Sequence, residues 1–343
     1  MNRCVVVAVV ESSQVGEARR LAATFAEDAG LGGTQAGRLA LIVTELSNNL
    51  VRHATGGQIV LQVRHENGRG GVEVLALDTG PGIHDISRAL GDGYSTGGTA
   101  GEGLGAVSRM SEDFDVYSVP GQGTALLARV WDTTVSAAKA PPGEFLIGAV
   151  CLPIAQETEC GDAWAAERQP RRMLLALVDG LGHGPLAAAA AREAIRIFRG
   201  NPARTPGQMV EAAHAALRPT VGAVMGVAEI RTDLGELRWA GVGNISGEIR
   251  TGETSAHLVS HNGTVGHQVR KVQEFVYPWQ ANSLLLLHSD GMATVRQWDR
   301  YTGLWGRDPS LVAGVMYRDY RRGKDDFTVV TSRQVVAPSA PSR

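Results

Sequence analysis

Apolar residues recur every three or four positions over residues 37–54, where Leu39, Ile42, Val43, Leu46 and Leu50 mark one face of a helix. The same spacing over residues 14–29 predicts a helix before it. Residues 59–64 and 72–77 run apolar or alternate over six positions, which predicts strands, as do residues 114–119 and 124–130. Residues 4–10 read as an opening strand, and residues 104–112, after a glycine-rich interval, as a short helix. That order describes an α+β unit with helices laid on one face of a mixed sheet. In the second half, strands are predicted over residues 144–153, 173–178, 222–230, 236–241, 275–278, 283–288 and 327–331, and an alanine-rich helix over 185–199. The segment Arg231-Thr-Asp-Leu-Gly235 is a hairpin signal between two of these strands. Many strands with two or three interspersed helices predict an α/β sandwich of stacked sheets.

The two patterns meet at a seam. Residues 132–143 are small and polar and end in Pro141, Pro142 and Gly143, the chemistry of a linker. A chain of 343 residues is long enough for two cores. The expected organisation is a domain over 1–131, a linker over 132–143, a domain over 144–335 and a disordered tail over 336–343. The net charge of −2 gives no basic excess for nucleic acid or an anionic membrane. No apolar run approaches the ~18 residues that span a bilayer, and Glu11 ends residues 4–10 before a leader sequence can form. Cys4, Cys151 and Cys160 are too few and too irregular for a disulfide framework, and no C-x-x-C pair points to zinc, so a reducing cytoplasm fits.

Three places in the first half carry chemistry. Glu45 and Asn49 are four apart on a helix and share a face, which His53 continues. A carboxylate and an amide side by side can activate a hydroxyl and complete a Mg²⁺ shell, although the pair alone is equally an ordinary solvated face. Asp78-x-Gly80-x-Gly82 follows a strand; its carboxylate can accept from an exocyclic amine while glycines admit a ring, and by itself the motif is also a turn. The glycine-rich residues 97–105 precede a helix, whose free N–H groups favour phosphate.

Their order is more specific than any one of them. Glu-x-x-x-Asn on a helix, strand-Asp-x-Gly-x-Gly, then Gly-x-Gly-Leu-Gly opening a helix resembles the GHKL (Bergerat) ATP-binding α/β sandwich of histidine kinases, gyrase, Hsp90-type chaperones and anti-sigma serine kinases. The likeness covers residues 1–131, and the compact size and the Tyr94-Ser-Thr-Gly-Gly98 loop look most like the RsbT/RsbW serine kinases. It implies ATP with Mg²⁺, with Glu45 as general base, Asn49 as Mg²⁺ ligand and Asp78 as adenine contact beside Gly80 and Gly82. Gly101, Gly103, Leu104 and Gly105 would form the phosphate loop, and His53 is read as structural.

In the second half Asp162, Asp179, Asp290 and the pair Asp325-Asp326 all fall at strand ends. Any one of them is readily a turn cap; several converging carboxylates repel one another, and divalent cations are their natural partners. Gly-Asp, Val-Asp-Gly-x-Gly-His-Gly, His-Ser-Asp-Gly and Asp-Asp-Phe-Thr together resemble PPM phosphatases of the SpoIIE group, with the Gly241-Val-Gly-Asn-Ile245 segment closest to RsbX-like members. The resemblance implies an αββα sandwich and two Mn²⁺ or Mg²⁺ ions bridged by Asp179. The Gly180 carbonyl, Asp162, Asp290 and Asp325 would complete the cluster, with Asp325 preferred to Asp326. His183 is more readily a structural loop residue than an acid, and no phosphate-binding arginine can be placed. Together the two likenesses imply a kinase fused to a phosphatase acting on STAS-domain phosphoproteins, with a sigma factor as a further possible partner. The alternatives are an ATP sensor governing a phosphatase, or an anti-sigma binding module.

Overall fold

A computed structural model describes residues 3–66, 68–91, 103–134, 143–295 and 297–335. Two compact units form, Met1–Ala138 with Gly306–Arg318, and Lys139–Trp305 with Asp319–Arg343. Residues 306–318, which the sequence assigns to the rear domain, thus cluster with the front one.

The front unit runs β1 (Cys4–Ala8), α1 (Ser12–Asp28), α2 (Gly33–His53), β2 (Gln58–Glu66), β3 (Arg69–Leu77), α3 (Ile86–Leu90), α4 (Leu104–Met110), β4 (Asp113–Ser118) and β5 (Thr124–Trp131). Its sheet has the order β1-β2-β3-β5-β4. The mixed sheet expected from sequence is antiparallel at every described pairing. The predicted stripe of α2 is buried, Leu39, Ile42, Val43, Leu46 and Leu50 meeting Phe25 of α1 and Ile59, Leu61, Val72 and Val74 of the sheet in one core. Side chains alternate along a strand, so Glu73, Leu75 and Leu77 face the other way from Val72 and Val74.

That second face is closed by the segment Gly306–Arg318. An added Cβ on Gly314 would lie 3.1 and 3.2 Å from Leu75 and Leu77 side chains. Burying Glu73 and Arg129 there requires that both be paired. Arg129 Nε donates to Glu73 at 2.6 Å, its two terminal nitrogens donate to the two Asp308 oxygens at 2.8 Å each, and Nη2 reaches Ser310 at 3.0 Å. The Asp308 N–H donates to Asp115 at 2.8 Å. The paired anions hold Arg129 well above its usual range against the opposing effect of burial.

The rear unit runs β6 (Phe145–Leu152), β7 (Asp162–Gln169), β8 (Arg172–Gly180), α5 (Pro185–Gly200), α6 (Pro206–Ala216), β9 (Ala223–Arg231), β10 (Glu236–Val242), β11 (Ser246–Thr251), β12 (Thr254–Leu258), β13 (Gly263–Thr264), β14 (Gln268–Val269), β15 (Phe275–Pro278), β16 (Leu284–His288), α7 (Pro309–Tyr320) and β17 (Phe327–Gln334), with α7 up to Arg318 counted in the front unit. Two five-stranded sheets, β15-β10-β9-β8-β7 and β12-β11-β16-β17-β6, stack through Phe145, Ile147, Leu175, Leu177, Trp239, Leu285 and Leu287. Helices α5 and α6 cover the outer face of the first sheet through Ala190, Ala194, Phe198, Met209 and Val210. The small alanines let α5 lie close to β7 and β8, and an added Cβ on Gly180 would sit 2.2 Å from the Ala187 carbonyl oxygen.

Candidate functional site

In the front unit the Asp78 turn abuts the C-terminal end of α2, and α4, which follows the glycine-rich segment, packs on the same helix. Glu45 and Asn49 lie half-buried on successive turns of that helix. Asn49 Nδ2 is buried and has no hydrogen-bond partner among the described residues, an open valence of the kind a ligand fills. His53 is exposed in the last turn of α2. Just beyond the helix, an added Cβ on Gly80 would lie 3.1 Å from the Thr55 nitrogen and 3.2 Å from the Ala54 Cα, so the Asp78 turn abuts the α2 terminus. Asp78 ends β3, its N–H donating to the Thr124 carbonyl at 2.9 Å and its carboxylate accepting from the Gly80 N–H at 2.7 Å. Burial raises its carboxyl above the usual range, opposed by the Gly80 hydrogen bond. Gly82 holds φ +73 and has the Val119 carbonyl oxygen where a Cβ would go, at 2.4 Å, so only glycine fits. Gly103 and Leu104 open α4, which packs on α2, and an added Cβ on Gly105 would come within 2.7 Å of the Leu90 carbonyl oxygen. Gly101 lies outside the described residues.

In the rear unit Asp179, Asp290 and Asp325 line one cavity of about 380 Å³, with Leu181, Gly182, Gly243, Asn244 and Asn262 among its other walls. Three different strand ends deliver them. Asp179 closes β8, Asp290 follows β16, and Asp325 precedes β17. Asp162 does not line the cavity. It opens β7 directly opposite Asp179 in the β7–β8 register, is fully buried, and accepts from Ser289 Oγ at 2.7 Å. Gly180 is held behind the wall by its N–H on the Gly161 carbonyl at 3.1 Å.

Electrostatics mark the cluster. Burial, then Asp162, Asp290, Asp325 and Asp326, push Asp179 up to about 9. Burial pushes Asp162 up to about 7, with Asp326 and Asp325 adding to it and Ser289 opposing. A cation beside such groups would favour their charged forms. The donor set, hard carboxylate oxygens around a wet cavity, fits Mg²⁺ or Mn²⁺. Among the described residues no three ligating side chains close on a single point.

The choice between Asp325 and Asp326 has a physical basis. Both Asp326 oxygens are taken, Oδ1 by the Ile154 N–H and Oδ2 by the Gly161 N–H, each at 2.7 Å. Asp325 alone of the two faces the cavity. His183 is exposed and pairs through Nδ1 with Glu157 Oε1 at 2.8 Å, away from the cavity walls. Sequence reasoning gave no role to Asn244 or Ser289. Asn244 Nδ2 donates to Asp290 Oδ2 at 2.8 Å, leaving the other oxygen free. Both residues stood inside motifs already singled out, and their polarity next to a glycine or an aspartate was the available signal.

Comparison with known proteins divides the chain in the same way. Residues 9–130 match the histidine kinase-like ATPase domain family, and residues 169–333 match the family of stage II sporulation protein E (SpoIIE). Serine/threonine-protein kinase RsbT of Bacillus subtilis (strain 168) is 34% identical over 131 residues, 38% of this chain and 98% of RsbT. Among solved structures, one from work on the bacterial stressosome as a modular system adapted to control secondary messenger signaling has 26% identity and a TM-score of 0.52, covering 55% of this chain and 100% of that one. RsbX in complex with magnesium has 16% identity and a TM-score of 0.50 over 56% of this chain and 96% of RsbX, a likeness of fold.

Proposed function

Because the chain belongs to the RsbT serine/threonine kinase family in its N-terminal part and carries a SpoIIE-type serine/threonine phosphatase domain after it, we propose that it is a bifunctional regulator, adding phosphate to and removing it from STAS-domain proteins of a partner-switching pathway. The observation that carries the reading is the separation of the two carboxylate arrangements. One is Glu45, a turn before an amide with no hydrogen-bond partner among the described residues, and the other is a crowd around a cavity.

In the front site Glu45 would take the proton of the attacking serine hydroxyl, a step worth roughly 10²–10⁴ in rate. Asn49, one turn on, would hold the ATP-bound Mg²⁺ through its amide oxygen. Asp78, steadied by Gly80, would accept from the adenine amine, and Gly103, Leu104 and Gly105 would present backbone N–H groups to phosphate. In the rear site Asp179, Asp290 and Asp325 would hold two Mn²⁺ or Mg²⁺ ions, with Asp162 and the Gly180 carbonyl supporting them. When bound, such ions polarise a phosphoryl group and acidify water. Asn244 would fix the rotamer of Asp290 so that its unpaired oxygen faces the cavity.

The two reactions are not reverses of each other, since one consumes ATP and the other water. Running both on one serine would waste ATP, so distinct targets or a signal favouring one site are part of the proposal. Labelled ATP with Mg²⁺ on candidate STAS proteins, followed by phosphate release with Mn²⁺, tests it. Glu45→Gln is expected to lose transfer and keep release, and Asp179→Asn to do the opposite. Nucleotide binding without transfer to any STAS protein would instead assign the front site to sensing. Co-purification of a sigma factor released by an unphosphorylated STAS protein would assign it to sequestration.

A further inference from the structure

Two of the three cysteines lie together beside the acidic cavity. Cys151, in β6, and Cys160, at the end of the loop that leads into β7, have their sulfurs 3.7 Å apart. Both are partly exposed thiols. Cys151 Sγ also lies 3.8 Å from the Asp162 carbonyl oxygen. The loop between them is tied to Asp326 at both ends, through the Ile154 and Gly161 N–H groups.

We propose that Cys151 and Cys160 form an oxidisable dithiol whose closure by a hydroperoxide loosens the neighbouring carboxylate centre. One sulfur attacks the peroxide, giving a sulfenic acid and one water. The second thiol attacks that sulfur, the S–S bond forms, the S–O bond breaks, and a second water leaves. Two thiols and one hydrogen peroxide thus become one disulfide and two waters.

A disulfide bond is about 2.05 Å long, so the sulfurs must approach by about 1.7 Å. Cys151 is held by its pairing opposite Thr328 on β17, in β6 at the edge of the second sheet, whereas Cys160 belongs to no strand. The shift falls on Cys160 and its neighbour Gly161. Gly161 has no slack, since even a Cβ there would lie 2.6 Å from Asp326 Oδ2 and 2.9 Å from the Ala187 Cβ. Displacing it strains the Gly161 N–H bond to Asp326 and the start of β7, where Asp162 faces Asp179.

Formation of the disulfide is independent of the phosphatase reading; its effect on the cavity rests on it. The full chain is treated with hydrogen peroxide and then with dithiothreitol, and read by intact mass, peptide mapping and Mn²⁺ titration calorimetry. A loss of about two mass units, mapped to a peptide joining Cys151 and Cys160, is expected. It should be reversed by dithiothreitol, absent in Cys151→Ser and Cys160→Ser, and kept in Cys4→Ser. The oxidised chain should bind Mn²⁺ at least about tenfold more weakly, recovering on reduction. Sulfinic acids without a cross-link would overturn the dithiol. A cross-link that leaves Mn²⁺ affinity unchanged would overturn its coupling to the centre. A reduced chain that binds no Mn²⁺ would overturn the metal reading instead, and the mass alone would then decide the dithiol.

Discussion

Asp78 and Asp290 both end strands that run into an Asp-Thr-Gly or Asp-Gly turn, yet their surroundings set them to different work. Asp78 is buried, and among the described residues its charge is met by the turn's own Gly80 N–H and by Arg318. Asp290 shares a cavity with Asp179 and Asp325 and is steadied by a neutral amide. A carboxylate with one saturated oxygen and its charge already met suits a neutral donor such as an amine. A group of carboxylates forced together suits cations, because without one their repulsion is relieved only by taking up protons. Two similar strand-end aspartates thus acquire different chemistry from the charges within reach.

Three experiments sharpen or break that contrast. Asp290→Asn is expected to cost more than about a hundredfold in Mn²⁺ affinity by calorimetry, above the 10–100-fold typical of residues that only support ligands. It should leave nucleotide affinity untouched and raise the melting temperature of the metal-free chain, since one repelling charge is gone. A lowered metal-free melting temperature would mean that the carboxylates are structural. Asp78→Asn should weaken nucleotide binding by about 10–100-fold, the worth of one hydrogen bond to a charged group, with Mn²⁺ affinity unchanged. The smallest effect is on pH dependence. Asp162 and Asp179 have folded-state values of about 7 and about 9, far above the ~3.9 of an unfolded aspartate. Their contribution is full below the unfolded value and is lost as pH rises through the folded ones. The metal-free melting temperature should therefore fall between pH 5 and 9, and saturating Mn²⁺ should flatten that slope. Equal slopes with and without Mn²⁺ would break the contrast.

Much of this was visible in the amino-acid order, and the rest was hidden for physical reasons. The α2 stripe could be read because one face of that helix meets water and the other a core. Residues 309–320 carried no such stripe, since Pro309 to Tyr317 are buried on every side, and an apolar run without a wet face has no legible period. Strand β7 was missed because Asp-Ala-Trp-Ala-Ala-Glu-Arg-Gln has little branched or aromatic content, and pairing with β8 fixes it instead. Asp325 and Asp326 are adjacent and chemically alike. What separates them, the Ile154 and Gly161 N–H groups on Asp326, comes from residues far back in the chain that no local spacing displays.

The bond from Arg129 to Asp308 joins residues 179 positions apart. During synthesis the front unit's strands are complete once Trp131 has emerged, while the segment that closes their second face is still untranslated. At ~5–20 residues per second, roughly 180 further residues take about 10–40 s, during which a buried ion pair and an apolar sheet face stand open. Such non-local closure is slow and exposed to aggregation. The second face of the front unit's sheet is therefore closed only after most of the rear unit has been made.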